Sequence, residues 1–355
     1  MLRKRFGRLA VTTLAGAMLM AVTACGGGGD TGATSASPGA SDAGAGSGLK
    51  VGLAFDVGGR GDKSFNDSAY AGLERAKTEL GADIRELSPA GDGSNRGAML
   101  QQLADAGYNP IIAVGFAYEP ELKTVAAEYP DVQFAIVDAG SVGPNVTGLT
   151  FAEQQGSYLA GVAAAAKTKT NHIGFVGGPE SKLIQKFEAG YVAGAKATKP
   201  DIKIDISYLG ADGDFAAFKA PDKGKIAAEK MYQAGADIVY HASGDSGQGV
   251  FQAAAAAGAD KWAIGVDSDQ AQTVKEPELQ KIILTSMLKR VDNGVFEFIK
   301  ANKGGAKGGQ TVAYDLKVDG VGLSTTGDHL SDVQAQIDEA KQKIISGEIT
   351  VPETP

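Results

Sequence analysis

From residue 49 onward, short apolar runs alternate with longer segments whose apolar residues recur every three or four positions. Residues 49–55 (LKVGLAF) are mostly apolar and bounded by turn residues, the pattern of a strand buried in a parallel sheet. Residues 64–80 then place Phe65, Ala69, Leu73, Ala76 and Leu80 on one helical face, with Ser64 as N-cap and Gly81 as the stop. The same reading predicts further strands at 83–87, 110–114, 133–137, 172–176, 203–208, 237–241, 262–266, 281–285 and 311–316. Helices are predicted at 94–106, 119–128, 153–166, 182–198, 224–234, 247–257, 288–300 and 332–346. The series breaks near 139–153 and resumes after 146–151.

Strand–helix alternation of this kind implies parallel sheets covered by helices on both faces. Two such series imply an α/β protein of two doubly wound, Rossmann-like lobes. At 355 residues the chain is long enough for both. In open α/β sheets ligands bind beyond the carboxyl ends of the strands, so the search for a site starts there.

The first 48 residues break the pattern. Arg3, Lys4, Arg5 and Arg8 precede an uncharged, mostly apolar run at 9–24, which is shorter than a bilayer span. The order is that of a secretory signal. It ends in Val22-Thr23-Ala24-Cys25, and small residues before a cysteine resemble the lipobox of bacterial lipoproteins. On that reading, 1–24 is a signal peptide and Cys25 is lipidated as the new N-terminus. Val22 departs mildly from the usual Leu; the bland alternative is an uncleaved anchor with an incidental cysteine. Residues 26–48 are Gly, Ser, Ala, Thr, Asp and Pro only. They read as a flexible tether, about 25 Å across on average.

Charge and cysteine content narrow the function. The formal net charge is −8, and without residues 1–24 the balance is 30 basic against 42 acidic residues. An acidic body argues against binding a phosphate backbone, so no nucleic-acid partner is expected. A single cysteine excludes an intrachain disulfide, a cysteine zinc site and an iron–sulfur cluster. The acids show no metal-ligand spacing, and neither metal nor cofactor is expected.

The predicted strand ends carry acids, amides, aromatics, glycine turns and one lysine. Asp56 leads into GGRGDKSFND, Asp138 follows the 133–137 strand, and Tyr240 precedes SGDSGQG. Asp267 lies in GVDSDQ, and Lys289 in TSMLKR. Acids accept from hydroxyls and ring N–H groups while aromatics stack, so the set suits a polar ligand with a flat ring. GGRGDKS is not a phosphate loop, because Asp62 interrupts the Gly-Lys-Ser order. GDSGQG lacks Gly-x-Ser-x-Gly, and only His241 of three histidines is near enough to act as base. Each residue has a bland alternative. Phe65 fits a helix core face, Asp56 and Asp138 fit helix caps, and Asp267 with Lys289 fits a surface ion pair of little energetic value.

Five stretches, FDVGGRGDKSFN (55–66), FVGGPESKLIQKFEAGYVAG (175–194), YHASGDSGQG (240–249), GVDSDQ (265–270) and LTSMLKR (284–290), occur in this order. Together they resemble the basic-membrane-protein family, the substrate-binding lipoproteins of ATP-binding-cassette importers that include purine-nucleoside receptors. The resemblance implies a type I periplasmic-binding-protein fold of two lobes joined by three crossovers, with ligand in the cleft. The lobes are expected at 49–150 plus about 267–290, and at 151–266 plus about 291–350. The resemblance further implies that Phe65 and Tyr240 stack on the two faces of a base. Asp138 would read the base edge with help from Asp56 and Asn66. Asp267 and Lys289 would hold the ribose hydroxyls, with the Gly244 backbone close by.

The expected activity is therefore capture of a nucleoside, purine favoured, by a monomer lipid-anchored at Cys25 to the outer side of the cell membrane. The captured ligand would pass to membrane permease subunits. The side chains alone leave purine, pyrimidine and other small metabolites open. A nucleoside hydrolase would use the same ring of acids but lacks a nucleophile–base pair. A sensor or adhesin would keep the fold without the permease.

Overall fold

The computed structural model describes residues 48–355. The signal peptide, Cys25 and nearly all of the tether expected from the sequence lie outside the described residues. In chain order the elements begin with β1 (Lys50–Ala54), α1 (Phe65–Leu80), β2 (Asp83–Leu87), α2 (Arg96–Asp105), β3 (Ile111–Ala113), α3 (Glu119–Glu128), β4 (Phe134–Val137) and β5 (Val146–Phe151). Then come α4 (Glu153–Lys167), β6 (His172–Pro179), α5 (Lys182–Thr198), β7 (Lys203–Gly210), α6 (Pro221–Gln233), β8 (Ile238–Ala242), α7 (Gly247–Ala257) and β9 (Trp262–Asp267). Two single turns, α8 (Gln270–Thr273) and α9 (Pro277–Gln280), precede β10 (Ile283–Lys289), α10 (Val291–Lys303), β11 (Thr311–Tyr314), β12 (Val321–Leu323) and α11 (Gln334–Ile345).

These strands form two six-stranded sheets, ordered β11-β5-β4-β3-β1-β2 and β12-β10-β9-β8-β6-β7. All pairs are parallel except β10–β12. The central strands are apolar on both faces, as a sheet covered by helices on both sides requires: Val51, Leu53, Ile112, Ala135, Ile173, Val239 and Ile264 are all fully buried. The architecture is the two-lobed α/β fold expected.

The chain changes lobe three times, between β5 and α4, between β10 and α10, and between β11 and β12. This corrects the expected division of the C-terminal part. The strand expected at 281–285 runs on to Lys289 and pairs with β9 in the second sheet, not the first. Conversely, α10 returns to the first lobe, where Arg75 of α1 donates to Asn293 at 3.0 Å, and β11 pairs with β5. The cause is pattern overlap. Leu284, Met287 and Leu288 fit helical spacing, but Leu284 and Met287 are buried in a strand whose both faces are covered.

Helices α4 and α5 pack at backbone distance. A Cβ at Gly161 would stand 2.1 Å from the Tyr191 carbonyl, and one at Gly194 would stand 2.0 Å from the Tyr158 carbonyl. Only glycine permits this contact. It fixes α4, and with it the first crossover, against the second lobe.

Candidate functional site

The carboxyl ends of β1, β3 and β4 face those of β8 and β9 across a cavity of ≈ 540 Å³. Its lining comes from both lobes and includes Asp56, Phe65, Asn66 and Asp138 from the first, and Gly244 and Asp267 from the second. Six of the eight ligand-binding residues expected from the sequence are therefore brought together.

Asp56 follows β1 and is held on three sides. Its N–H donates to Asn66 Oδ1 at 2.9 Å, while its Oδ1 accepts from Val57 N–H at 2.8 Å and from Arg96 Nη2 at 3.1 Å. Burial raises its pKa and Arg96 works against that rise. Gly115 closes the space beyond it. Its backbone lies at φ 109°, ψ 144°, and a Cβ there would stand 2.6 Å from Asp56 Oδ2. Asp62, which the sequence reading took only as an interruption of a phosphate loop, orders the start of α1. It accepts from the N–H groups of Ser64 (3.0 Å), Asn66 (2.8 Å) and Asp67 (3.1 Å), and from Asn66 Nδ2 at 3.0 Å. Asn66 is thus fixed at both ends of its amide and keeps one amide hydrogen for the cavity.

Asp138 and Asp267 end their strands with φ of 67° and 63°. This left-handed backbone is uncommon outside glycine, though aspartate tolerates it better than most residues. Such conformations persist where the surroundings over-determine them. Here the tether is Lys289, which is 2% exposed at the end of β10. Its Nζ lies 2.7 Å from Asp138 Oδ2, 3.8 Å from Asp267 Oδ1 and 3.8 Å from Glu153 Oε1. It also stands 4.6 Å from the centre of the Phe65 ring. Burial works against the lysine's charge, but Asp138, Asp267 and Glu153 together outweigh it and hold its pKa above the usual value. Asp267 is also raised by burial, with Lys289 and the Ser64 hydroxyl opposing. That hydroxyl donates to Asp267 Oδ2 at 2.6 Å across the cleft.

Two oxygens of this group matter most. Asp138 Oδ1 and Asp267 Oδ1 are buried and accept no hydrogen bond among the described residues. Buried polar atoms in native structures nearly always find a partner, so acceptors left this way beside a cavity suit a ligand that brings donors.

Two expected site residues do not line the cavity. Tyr240 is fully buried within the second lobe. Its hydroxyl shares a hydrogen bond with Ser157 Oγ at 3.1 Å, and its ring packs 5.5 Å from Phe175 and 5.1 Å from Tyr191. Strand β8 points this side chain into the core under α4 and α5. Lys289 is also absent from the lining, and lies instead behind Asp138 and Asp267. The aromatic surface of the second lobe comes from residues the sequence reading missed, Phe187 of α5 and Phe218 of the loop after β7. Phe116 adds a further ring from the first lobe.

The lobes touch around the cavity. Phe215 of the second lobe meets Phe116 edge-on at 5.7 Å and lies 5.0 Å under the Arg96 guanidinium. Asp56, Asp62, Asp138, Asp245 and Asp267 all line the cavity, and among the described residues no lysine or arginine does. Such a surface accepts hydrogen bonds, offers ring faces and disfavours anions.

Residues 49–355 match the family of ABC transporter substrate-binding proteins described as PnrA-like. Over 323 residues the chain is 39% identical to a Lactococcus lactis subsp. cremoris protein named ABC transporter nucleoside-binding protein BmpA, covering 86% of this chain and 89% of that one. It is equally 39% identical over 323 residues to a Listeria monocytogenes protein named CD4+ T-cell-stimulating antigen, covering 86% and 88%. A solved ABC transporter solute-binding protein from Aeropyrum pernix K1 shares 31% identity with a TM-score of 0.75, over 86% of this chain and 94% of that one.

Proposed function

The chain belongs to the PnrA-like substrate-binding proteins of ABC transporters, and from that premise we propose that it captures a nucleoside, with a purine base favoured, in the cleft between its lobes. The family is one of solute-binding proteins, not of enzymes. Its members work outside the cytoplasm in association with the membrane and deliver ligand to permease subunits. In this chain the attachment we infer is a lipid on Cys25, and the delivering species is a monomer.

The observation that carries the ligand reading is the pairing of ring faces with unanswered acceptors. Phe65 comes from the first lobe and Phe187 and Phe218 from the second, so a flat base is covered from both sides. Asp138 Oδ1, with Asn66 and Asp56 nearby, takes N–H donors from the base edge. Asp267 Oδ1 takes ribose hydroxyls, with the Gly244 turn close by. Lys289 holds both acids in place. Contacts from both lobes favour the closed form when ligand is present, which is the state a permease would read.

Calorimetric titration with purine and pyrimidine nucleosides, their free bases, ribose and nucleoside monophosphates tests this. The expected order is purine nucleoside first, free base and ribose far weaker, and monophosphate weakest because the lining is acidic. Binding of a sugar with no response to any nucleoside would overturn the reading.

A further inference from the structure

Glu153 is the first residue of α4, just past the first crossover, and Lys289 is the last of β10, just before the second. The two therefore meet at the hinge. Glu153 is 1% exposed and does not line the cavity. Neither of its carboxylate oxygens accepts a hydrogen bond among the described residues. Around it stand Lys289 of β10 at 3.8 Å and Lys186 of α5 at 3.8 Å, with Asp138 beyond Lys289. Asp267 of β9 shares Lys289, Glu353 near the C-terminus shares Lys186, and the N-terminus of α4 itself favours negative charge.

We propose that Glu153 is a positioning residue that takes up one proton when ligand enters the cleft, so that Lys289 is left to the two acids that face the ligand. The inference rests on the nucleoside reading above. Three carboxylates share one ammonium. The ligand's donors answer Asp138 Oδ1 and Asp267 Oδ1. They do not reach Glu153. At the same time the ligand displaces water from the cleft and deepens the burial that already opposes charge on Glu153. The carboxylate without hydrogen bonds is the one the proton neutralises. Burial already raises the Glu153 pKa to about 7, with Lys289 and Lys186 opposing and Asp138 adding to the rise. An acid whose pKa rises on binding gives full affinity on the acid side, lost as pH rises through neutrality.

The test is titration of adenosine into the purified protein from one pH unit below that value to one above, each in two buffers of different ionisation heat. Adenosine keeps one protonation state across this range. The expected result is net uptake that is near zero one unit below that value, about half a proton at it and close to one proton a unit above, with affinity falling by up to about tenfold per pH unit on the alkaline side. Glu153→Gln should bind without proton uptake and with a flat profile. Lys186→Met removes a cation that favours ionised Glu153, and should move the fall in affinity to higher pH without disturbing the core. Adenosine binding with no proton exchange, or a Lys186→Met profile that does not move, would overturn the linkage and leave the nucleoside reading intact. Absence of binding by any nucleoside at every pH would overturn both.

Discussion

Lys289 ends a strand of the second sheet, yet its Nζ lies 2.7 Å from Oδ2 of Asp138, which follows a strand of the first sheet. The bond joins the lobes at the floor of the cleft. It also gives the buried carboxylates of Asp138 and Asp267 a shared cation partner. Desolvating a carboxylate is costly unless a cation and hydrogen bonds compensate.

Lys289→Met should therefore damage more than ligand contact. Removing one partner of a buried pair typically costs about 3–5 kcal/mol, because the other charge is left uncompensated. Denaturant unfolding should show a loss of that order, and nucleoside binding should vanish. Adding Asp138→Asn to the same chain should recover part of the stability and none of the binding. A single variant as stable as the parent would show that the pair does not carry the cleft floor.

The aromatic assignment separates the cavity from the core. Phe65→Ala and Phe218→Ala should each weaken nucleoside binding by about 1–3 kcal/mol, the scale of base–aromatic stacking. Tyr240→Phe should leave affinity unchanged and lower stability by about 1 kcal/mol, the worth of its hydrogen bond to Ser157. Isothermal calorimetry beside thermal unfolding distinguishes the two classes. A binding loss in Tyr240→Phe would return that residue to the site.

Fold and site were legible to different depths. Helices α3, α5 and α7 begin and end where their apolar spacing and flanking residues place them, because a one-sided core leaves a clear 3.6-residue signature. The end of β10 was not legible, since LTSMLK fits helix and buried strand alike. Asp56, Asp138 and Asp267 stood out because strand ends in an α/β sheet converge on one place, while Phe65, Asn66 and Gly244 came from the family resemblance. Tyr240 was misplaced for a related reason. Position at a strand end gives proximity, but the face of the strand decides between cavity and core. Phe218 lies in the short segment FAAFK between Gly213-Asp214 and Ala220-Pro221, with no periodicity to mark it. Glu153 looked like an ordinary acid in a helix first turn, and its burial is purely tertiary.

Gly115→Ala should disarm the site through Asp56. At φ 109° an alanine is strained, and its Cβ would press on Asp56 Oδ2. The strain costs about 1–3 kcal/mol. Asp56 can relieve the clash only by leaving Arg96, which also holds Phe215 across the cleft. Affinity should fall at least about tenfold, the equivalent of 1.4 kcal/mol. Small-angle scattering should show that added nucleoside no longer compacts the molecule. Full compaction with parental affinity would mean that Asp56 tolerates the displacement.

His241 should give the folded protein an acid limit of its own. It is fully buried at the end of β8, with Nε2 2.9 Å from Gln270 Oε1, and that same oxygen accepts from Val266 N–H at 2.8 Å. Because Oε1 accepts, Nε2 carries the proton of a neutral ring, and the network links β8 to β9 beside Asp267. Burial lowers the His241 pKa to about 4, with the Gln270 hydrogen bond opposing. A base whose folded pKa lies below its unfolded value near 6.5 contributes stability that is present above the unfolded value. The contribution is lost as pH falls from there through about 4, and amounts to roughly 3 kcal/mol at about 1.4 kcal/mol per pKa unit. Raised carboxyls such as Asp267 act in the opposite direction, so the histidine must be isolated by comparison. His241→Gln should lower stability at neutral pH and show a shallower decline than the parent between pH 6.5 and 4, measured by urea unfolding. Parallel declines would show that His241 does not set the acid limit.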